Sequence, residues 1–328
     1  MSNLGSESQF TKGVTKNIQD TTEASKGEDT VNVWVAGWDG LLALESLKRS
    51  SGNINYISPV FYHLTENGQI NETDFKNKAE ILDEIKKQNL KITPLIFNDF
   101  DPKRVGVFLD SNNRSATIKE LVKRSKNNNY HGWDINWEQV SDADQSKFVE
   151  FLKQTHDEFK KEGIKLIVTV PAKTGDKSDW SGATGYNWSE ISKYSDEIRI
   201  MAYDYHNQST KPGAVTPNDW FERVIKYAVG NIPKEKITIS LPLYGYKWNS
   251  EGVFLGSTIN QDKQKNQARQ EIVEGSVKYT FPNGDVVWTE NKQTIKEKMD
   301  MAKSLGVTNF SFWKLGAESA DFWKADQN

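Results

Sequence analysis

From Val31 onward, short apolar runs alternate with amphipathic segments of 10 to 20 residues. A chain patterned this way joins successive strands through helices, which calls for a parallel sheet. Strands are expected at 31–38, 54–62, 92–97, 132–138, 164–171, 197–205, 237–243 and 310–315, and helices at 41–50, 74–88, 115–127, 142–162, 188–194, 218–229 and 292–305. Ser115 and Ser141 stand where N-caps are expected, and Gly163 and Gly306 where C-cap glycines close helices. Eight βα repeats favour an α/β fold closed as a (β/α)8 TIM barrel over a doubly wound sheet, because closure leaves no strand edge exposed. About 48 residues separate Leu243 from Lys292, and within them 278–280 and 286–288 flank Pro282-Asn283-Gly284 as a hairpin would. This is a small insertion after strand 7, too short for a second domain. Residues 1–29 are Ser-, Thr-, Asn-, Lys- and Glu-rich and lack apolar periodicity, so they read as a tail or linker before one barrel domain over 30–328.

The bulk chemistry excludes several classes. With 42 basic and 45 acidic residues mixed along the chain, the net charge of -3 gives no nucleic-acid or membrane-binding surface. No apolar run approaches the roughly 18 to 20 residues that span a bilayer, and the N-terminus lacks the basic-then-apolar order of a signal peptide. The absence of cysteine removes disulfides, thiolate metal sites and cysteine nucleophiles without fixing a compartment. An exported protein, extracellular or on the cell surface and stripped of its targeting segment, fits the polar tail; a cytoplasmic form fits it too. The expectation is a monomer without cofactor.

The segment Gly132-Trp133-Asp134-Ile135-Asn136-Trp137-Glu138 carries the densest chemistry. On a strand, the period of two sends Asp134, Asn136 and Glu138 to one face and Trp133, Ile135 and Trp137 to the other. In a barrel of this kind the reactive groups lie where strands end at their C-terminal side. Those positions are Trp38, Phe61, Tyr62, Glu138, Met201, Tyr203, Asp204, Tyr205, Tyr244, Tyr246 and Trp313. Carboxylates set among rings suit a carbohydrate, because rings stack on the apolar faces of sugars while an acid protonates the glycosidic oxygen. Packing between barrel and helices competes for the same rings, for Phe61 and Tyr244 above all. A metal-dependent deacetylase would need convergent His and Asp ligands, and the chain has only His63, His131, His156 and His206. No metal site is expected.

The run from His131 to Glu138 resembles the D-G-x-D-x-D-x-E signature of family 18 glycoside hydrolases, the chitinase and chitinase-like group. Met201-Ala202-Tyr203-Asp204 is similar to the family's M-x-Y-D on strand 6, Pro242-Leu243-Tyr244-Gly245-Tyr246 to its strand 7 end, and Phe312-Trp313-Lys314-Leu315-Gly316 to the strand 8 tryptophan. The likeness runs from Val31 to about Trp323. Tyr203-Asp204-Tyr205-His206, Lys211-Pro212-Gly213 and the short insertion look most like a bacterial subgroup of spore-cortex and cell-wall glucosaminidases.

The resemblance implies a β-1,4 glycosidase acting on N-acetylglucosamine-containing oligo- or polysaccharides through the substrate's own acetamido oxygen, with no enzyme nucleophile. It implies that Glu138 is the general acid and then base, with a pKa raised toward neutrality by its surroundings. Asn136 would hold the acetamido group with Tyr203 beside it, Asp204 would contact the sugar in the cleavage subsite, and Trp313 would lie beneath that sugar as its floor. Two positions depart from the signature. His131 replaces the first aspartate, which is supportive, and Asn136 replaces the third. An amide accepts the acetamide N–H bond without supplying full charge, a difference on the order of 1 to 3 kcal/mol, or about 10- to 150-fold in rate. Asp134 could lend negative charge from deeper in the barrel. A lectin-like descendant and an N-glycan endoglucosaminidase are the competing implications.

Overall fold

A computed structural model describes residues 29–176, 180–258 and 267–324. In chain order the strands are β1 (Thr30–Val35), β2 (Tyr56–Pro59), β3 (Tyr62–Leu64), β4 (Ile70–Glu72), β5 (Lys91–Ile92), β6 (Leu95–Phe97), β7 (Gly132–Asn136), β8 (Lys165–Pro171), β9 (Glu197–Met201), β10 (Ile237–Pro242), β11 (Gly245–Trp248), β12 (Phe254–Thr258), β13 (Arg269–Val273), β14 (Ser276–Thr280), β15 (Val286–Thr289) and β16 (Asn309–Trp313). The helices are α1 (Gly40–Arg49), α2 (Lys78–Lys87), α3 (Pro102–Asp110), α4 (Arg114–Asn128), α5 (Gln145–Lys161), α6 (Trp188–Lys193), α7 (Asn218–Asn231) and α8 (Lys292–Ser304).

The parallel order β6-β7-β8-β9-β10-β16-β1-β2 rolls into a ring, which closes where β2 pairs with β5 and β3 with β6. The expected strands at 54–62 and 92–97 are thus each split in two. Pro59 closes β2, and Pro94, which has no N–H to donate, separates β5 from β6. The strand expected to reach Trp38 stops at Val35, and Trp38 lies in a 3-10 turn, Gly37–Asp39. Helix α3 was not anticipated although its start is legible: Asp101 accepts from the Lys103 N–H at 2.9 Å, and Pro102 follows it. Of the two expected serine caps, Ser141 stands at the N-cap of the 3-10 turn Asp142–Asp144 that leads into α5, without a side-chain cap bond, and Ser115 does not cap. Ser115 lies inside α4, and Ser141 Oγ bonds the Asp144 carboxylate at 2.7 Å ahead of a 3-10 turn. Both glycine stops hold, with Gly163 at φ 67° and Gly306 at φ 89°.

The alternation in β7 builds two cores at once. Trp133, Ile135 and Trp137 are fully buried against the helices. The Trp133 indole donates to Ser125 of α4 at 2.7 Å, and Trp137 stacks on Phe151 of α5 with centroids 5.2 Å apart and planes 16° apart. Asp134 and Asn136 point the other way and are also buried, so the polar face of this strand is the barrel interior rather than a wetted surface. That interior is itself polar: Asn32, Ser58, Thr93, Asp134, Thr169 and Arg199 are all buried there, with Ser58 and Thr93 joined at 2.7 Å.

The insertion is larger than a hairpin. β14 and β15 pair as expected, and they belong to an antiparallel sheet ordered β12-β11-β15-β14-β13. A buried Glu290–Lys298 pair, 3.0 Å, joins the end of β15 to α8, and Ser276 donates to the same carboxylate at 2.6 Å. The tail at 1–29 lies outside the described residues except for Asp29, which pairs with Lys303 at 2.6 Å.

Replacing Trp137 by Ala removes the ring that ties the end of β7 to α5. Equilibrium urea unfolding is expected to show a loss of about 3–5 kcal/mol, and a loss below 1 kcal/mol would show that this packing does not anchor the strand.

Candidate active site

Asp134, Asn136 and Glu138 step along β7 and out of its C-terminal end, with Glu138 two residues past the strand. Its backbone is gripped twice by Asn98, which follows β6: the Glu138 N–H donates to Asn98 Oδ1 at 2.9 Å, and Asn98 Nδ2 donates to the Glu138 carbonyl at 2.9 Å. Tyr186 braces the same turn from below. Its hydroxyl donates to the Trp137 carbonyl and accepts the Val140 N–H at 3.3 Å. Gly185 is needed for this approach, since a Cβ there would lie 2.1 Å from the Val140 carbonyl oxygen. The carboxyl of Glu138 is therefore fixed at its root while its head reaches the mouth of the barrel.

Burial pushes Glu138 up to about 7, and the nearby Asp204 carboxylate adds to the rise. Asp204 follows β9 in a left-handed conformation, φ 62°. Its Oδ1 accepts from Tyr244 and, at 2.8 Å, from Tyr246, while burial pushes its own carboxyl upward against those two donors. The Tyr203 phenol is driven well above its ordinary value by burial and by the surrounding carboxylates Asp204 and Glu138. It stays a proton donor at any working pH, and its ring meets Tyr244 edge-on at 6.2 Å.

Asn136 is 7 % exposed, and its Oδ1 is buried without a hydrogen-bond partner. An unsatisfied buried acceptor costs on the order of 1–3 kcal/mol, and an N–H brought in by a ligand would relieve it. Asp134, one step deeper on the same face, is held by three donors. Its Oδ2 accepts from the Trp34 indole and the Arg199 guanidinium, both at 2.8 Å, and its Oδ1 from Thr169 at 2.7 Å. The same guanidinium also pairs with Glu197 at 2.7 Å, so its charge is shared between two carboxylates. Burial pushes the Asp134 carboxyl upward, and Arg199, Thr169 and Trp34 pull it back.

Around this centre the expected rings divide. Trp313 ends β16, is partly buried, and meets Trp34 edge-on at 5.9 Å. Trp38 is 56 % exposed at the rim, with the Lys314 ammonium 5.1 Å from its ring centroid. Tyr246 lies half-buried on β11, so the insertion contributes directly to the site. Met201 closes β9, in register with Ser240 of β10. Phe61 is a correction: it is 1 % exposed and packs on Phe75 with centroids 4.7 Å apart, inside the core rather than at the mouth. Tyr244 is buried as well and spends its hydroxyl on Asp204. His131 sits at the opposite end of β7, against Tyr56 at 5.5 Å, behind the site as expected.

Asn98, Arg199, Thr169 and Tyr186 were not anticipated. Arg199 was open to reading, since the period of two that places Met201 and Tyr203 also selects Arg199, and Asn98 directly follows an expected strand end. Among the described residues there is no group of three or more His, Asp or Glu side chains placed to hold a metal.

The profile described as Glycosyl hydrolases family 18 matches residues 30–318. Among known sequences the chain is similar to the uncharacterized glycosylase YvbX of Bacillus subtilis (strain 168), 29% identical over 301 residues that cover 85% of this chain and 86% of that protein. It is also similar to the cortical fragment-lytic enzyme of the same organism, 20% identical over 298 residues covering 85% and 68% of the two chains. Among solved structures, a chitinase from Chromobacterium violaceum ATCC 12472 superposes with a TM-score of 0.82 at 23% identity, covering 90% of this chain and 96% of that one.

The weakened acidity of Glu138 has a stability signature. Its folded-state value lies above the ordinary 4.5, so the stabilisation from holding the proton is full at low pH and is lost as pH rises through about 7. Glu138→Gln is expected to exceed the wild type in thermal stability at about pH 8, by on the order of 2 kcal/mol, with the gap closing by about pH 4. Equal melting temperatures across that range would mean the carboxyl is not desolvated.

Proposed function

The chain belongs to family 18 of the glycosyl hydrolases, and from that premise we propose that it hydrolyses β-1,4 linkages of N-acetylglucosamine-containing glycans, chitooligosaccharides or peptidoglycan strands, by substrate-assisted, retaining chemistry. The observation that carries this reading is the pairing of a desolvated Glu138, pushed up to about 7, with the unfilled acceptor of Asn136 one step below it on the same face. A glycosidic oxygen needs a proton donor poised near neutrality, and an acetamido group needs an acceptor for its N–H.

In the first step Glu138 gives its proton to the leaving oxygen as the substrate's acetamido oxygen closes on the anomeric carbon. Asn136 accepts the acetamide N–H and holds the group in line. Tyr203 donates to the acetamido oxygen region, and Trp313 closes the sugar's lower face. In the second step the Glu138 carboxylate takes a proton from water, which opens the cyclic intermediate with retention. Asp134 is held inside the barrel by three donors, and two phenols bond Oδ1 of Asp204, so both carboxylates are engaged in holding the site together. Positive charge that develops on the intermediate meets a neutral amide at 136, so turnover is slower than with an aspartate there. The likeness to a cortical fragment-lytic enzyme supports cortical fragments as the kind of substrate. Asn136 also supports a second reading, a glycan-binding protein with impaired catalysis.

Reducing-sugar release from chitooligosaccharides and from purified peptidoglycan, measured for wild type and Glu138→Gln together, tests the proposal. The expected result is cleavage by wild type and a loss of at least about 100-fold in the variant, with binding retained. Binding without cleavage by either protein would favour the lectin-like reading. Activity of the wild type is expected to fall as pH rises above about 7, when Glu138 loses the proton it must donate. Asn136→Asp is expected to raise turnover by about 10-fold or to move the pH optimum, because it restores a charged acceptor; a variant identical to wild type in both respects would remove Asn136 from the acetamido contact.

A further inference from the structure

Arg199 is the one guanidinium among the described residues whose side chain is wholly enclosed in the barrel. From β9 its Nη1 donates to Asp134 Oδ2 at 2.8 Å and to Ser58 Oγ at 2.6 Å, while its Nε donates to Glu197 at 2.7 Å. Its Nη2 has no partner. Burying such a pair confers little stability, since well-packed apolar groups of similar volume commonly do as well or better. A charged side chain kept there under-satisfied calls for another account.

The account lies in what else holds the same carboxylate oxygen. Asp134 Oδ2 also accepts the Trp34 indole N–H, and the Arg199 guanidinium sits 5.7 Å from the Trp34 ring centroid. Arg199 thus fixes Trp34 twice, through the shared oxygen and through the face of the ring. Trp34 in turn meets Trp313 edge-on at 5.9 Å and forms with Val60 and Leu95 the small apolar cluster on which Trp313 and Phe97 rest. Arg199 itself makes no recorded contact with Trp313.

The geometry points to Arg199 as a positioning residue that sets the tilt of Trp313, the floor of the cleavage subsite, through Asp134 and Trp34. It acts on substrate binding more than on the chemical step, because the proton donor Glu138 is anchored separately by Asn98 and Tyr186. Lysine at 199 would keep the charge but could not reach Asp134, Ser58 and Glu197 together in the planar fork of a guanidinium. The assignment of Trp313 to a sugar floor rests on the proposed function; the tilt of its ring does not.

Two measurements test this on the full chain. The first uses no ligand: indole N–H resonances of Trp34 and Trp313, assigned by Trp34→Phe and Trp313→Phe, are followed in Arg199→Met and in the charge-balanced Arg199→Met/Asp134→Asn, whose fold is checked by circular dichroism. The expected result is that both single resonances shift in each variant while the fold is kept; a Trp313 resonance that stays in place in a folded variant overturns the proposal. The second is a double-mutant cycle of Arg199→Met with Trp313→Ala on an N-acetylglucosamine oligosaccharide. Arg199→Met is expected to raise KM by about 10-fold with a smaller change in kcat, to lose that effect once Trp313 is already Ala, and to be partly rescued by Arg199→Lys. Additive effects on KM overturn the positioning role. A wild type that neither binds nor cleaves any such glycan would sink the functional reading alone, leaving the resonance shifts to decide the place of Arg199.

Discussion

A carboxylate sealed in the centre of a protein must be met by donors from every side, and Asp134 draws those donors from three other barrel strands. Trp34 reaches it from β1, Thr169 from β8 and Arg199 from β9. These bonds set the rotation of β7 relative to its neighbours, and so the direction in which Asn136 and Glu138 leave the strand. A one-residue slip of β7 would put Trp133, Ile135 and Trp137 into the barrel and the carboxylates against the helices. Stacking of Trp137 on Phe151 opposes the same slip from outside. The register of the reactive row is thus fixed from both faces of one strand.

The division of charge that results is particular to this chain. Asp134 shares one guanidinium with Glu197, Asn136 is neutral, and Asp204 is gripped by two phenols. Glu138 is pushed up to about 7 by burial and by the neighbouring Asp204 carboxylate, which is itself pushed upward by burial. The acid of the site is tuned by desolvation first and by charge second.

Much of this was legible in the residues. Eight strand patterns, the glycine stops and the inward row of β7 follow from local periodicity, and the fold obeys them. The misreadings share a physical origin. Ser115 has the right chemistry for a cap but lies inside α4, and Ser141, at the N-cap of the turn before α5, spends its hydroxyl on the Asp144 carboxylate. Phe61 has a plausible place in sequence for a sugar contact, yet the split between β2 and β3 turns its ring onto Phe75. Arg199 is a charge within an apolar run, but what it touches depends on strands 65 and 141 residues away in the chain, which no local pattern encodes. The insertion was recognised by its length, but its sheet is assembled from segments whose pairing is long-range.

Tyr246 belongs to two structures at once. It pairs through its backbone with Trp288 in the inserted sheet, and through its hydroxyl it holds Asp204 beside the reactive carboxyl. One bank of the cleft is therefore borrowed from a module that hangs outside the eight-stranded ring. Evolution can recut that module, lengthening or trimming its outer strands to admit a longer or bulkier glycan, without disturbing the barrel that does the chemistry. The tyrosine is the seam along which such recutting is limited, for any change that moves β11 also moves the charge next to Glu138.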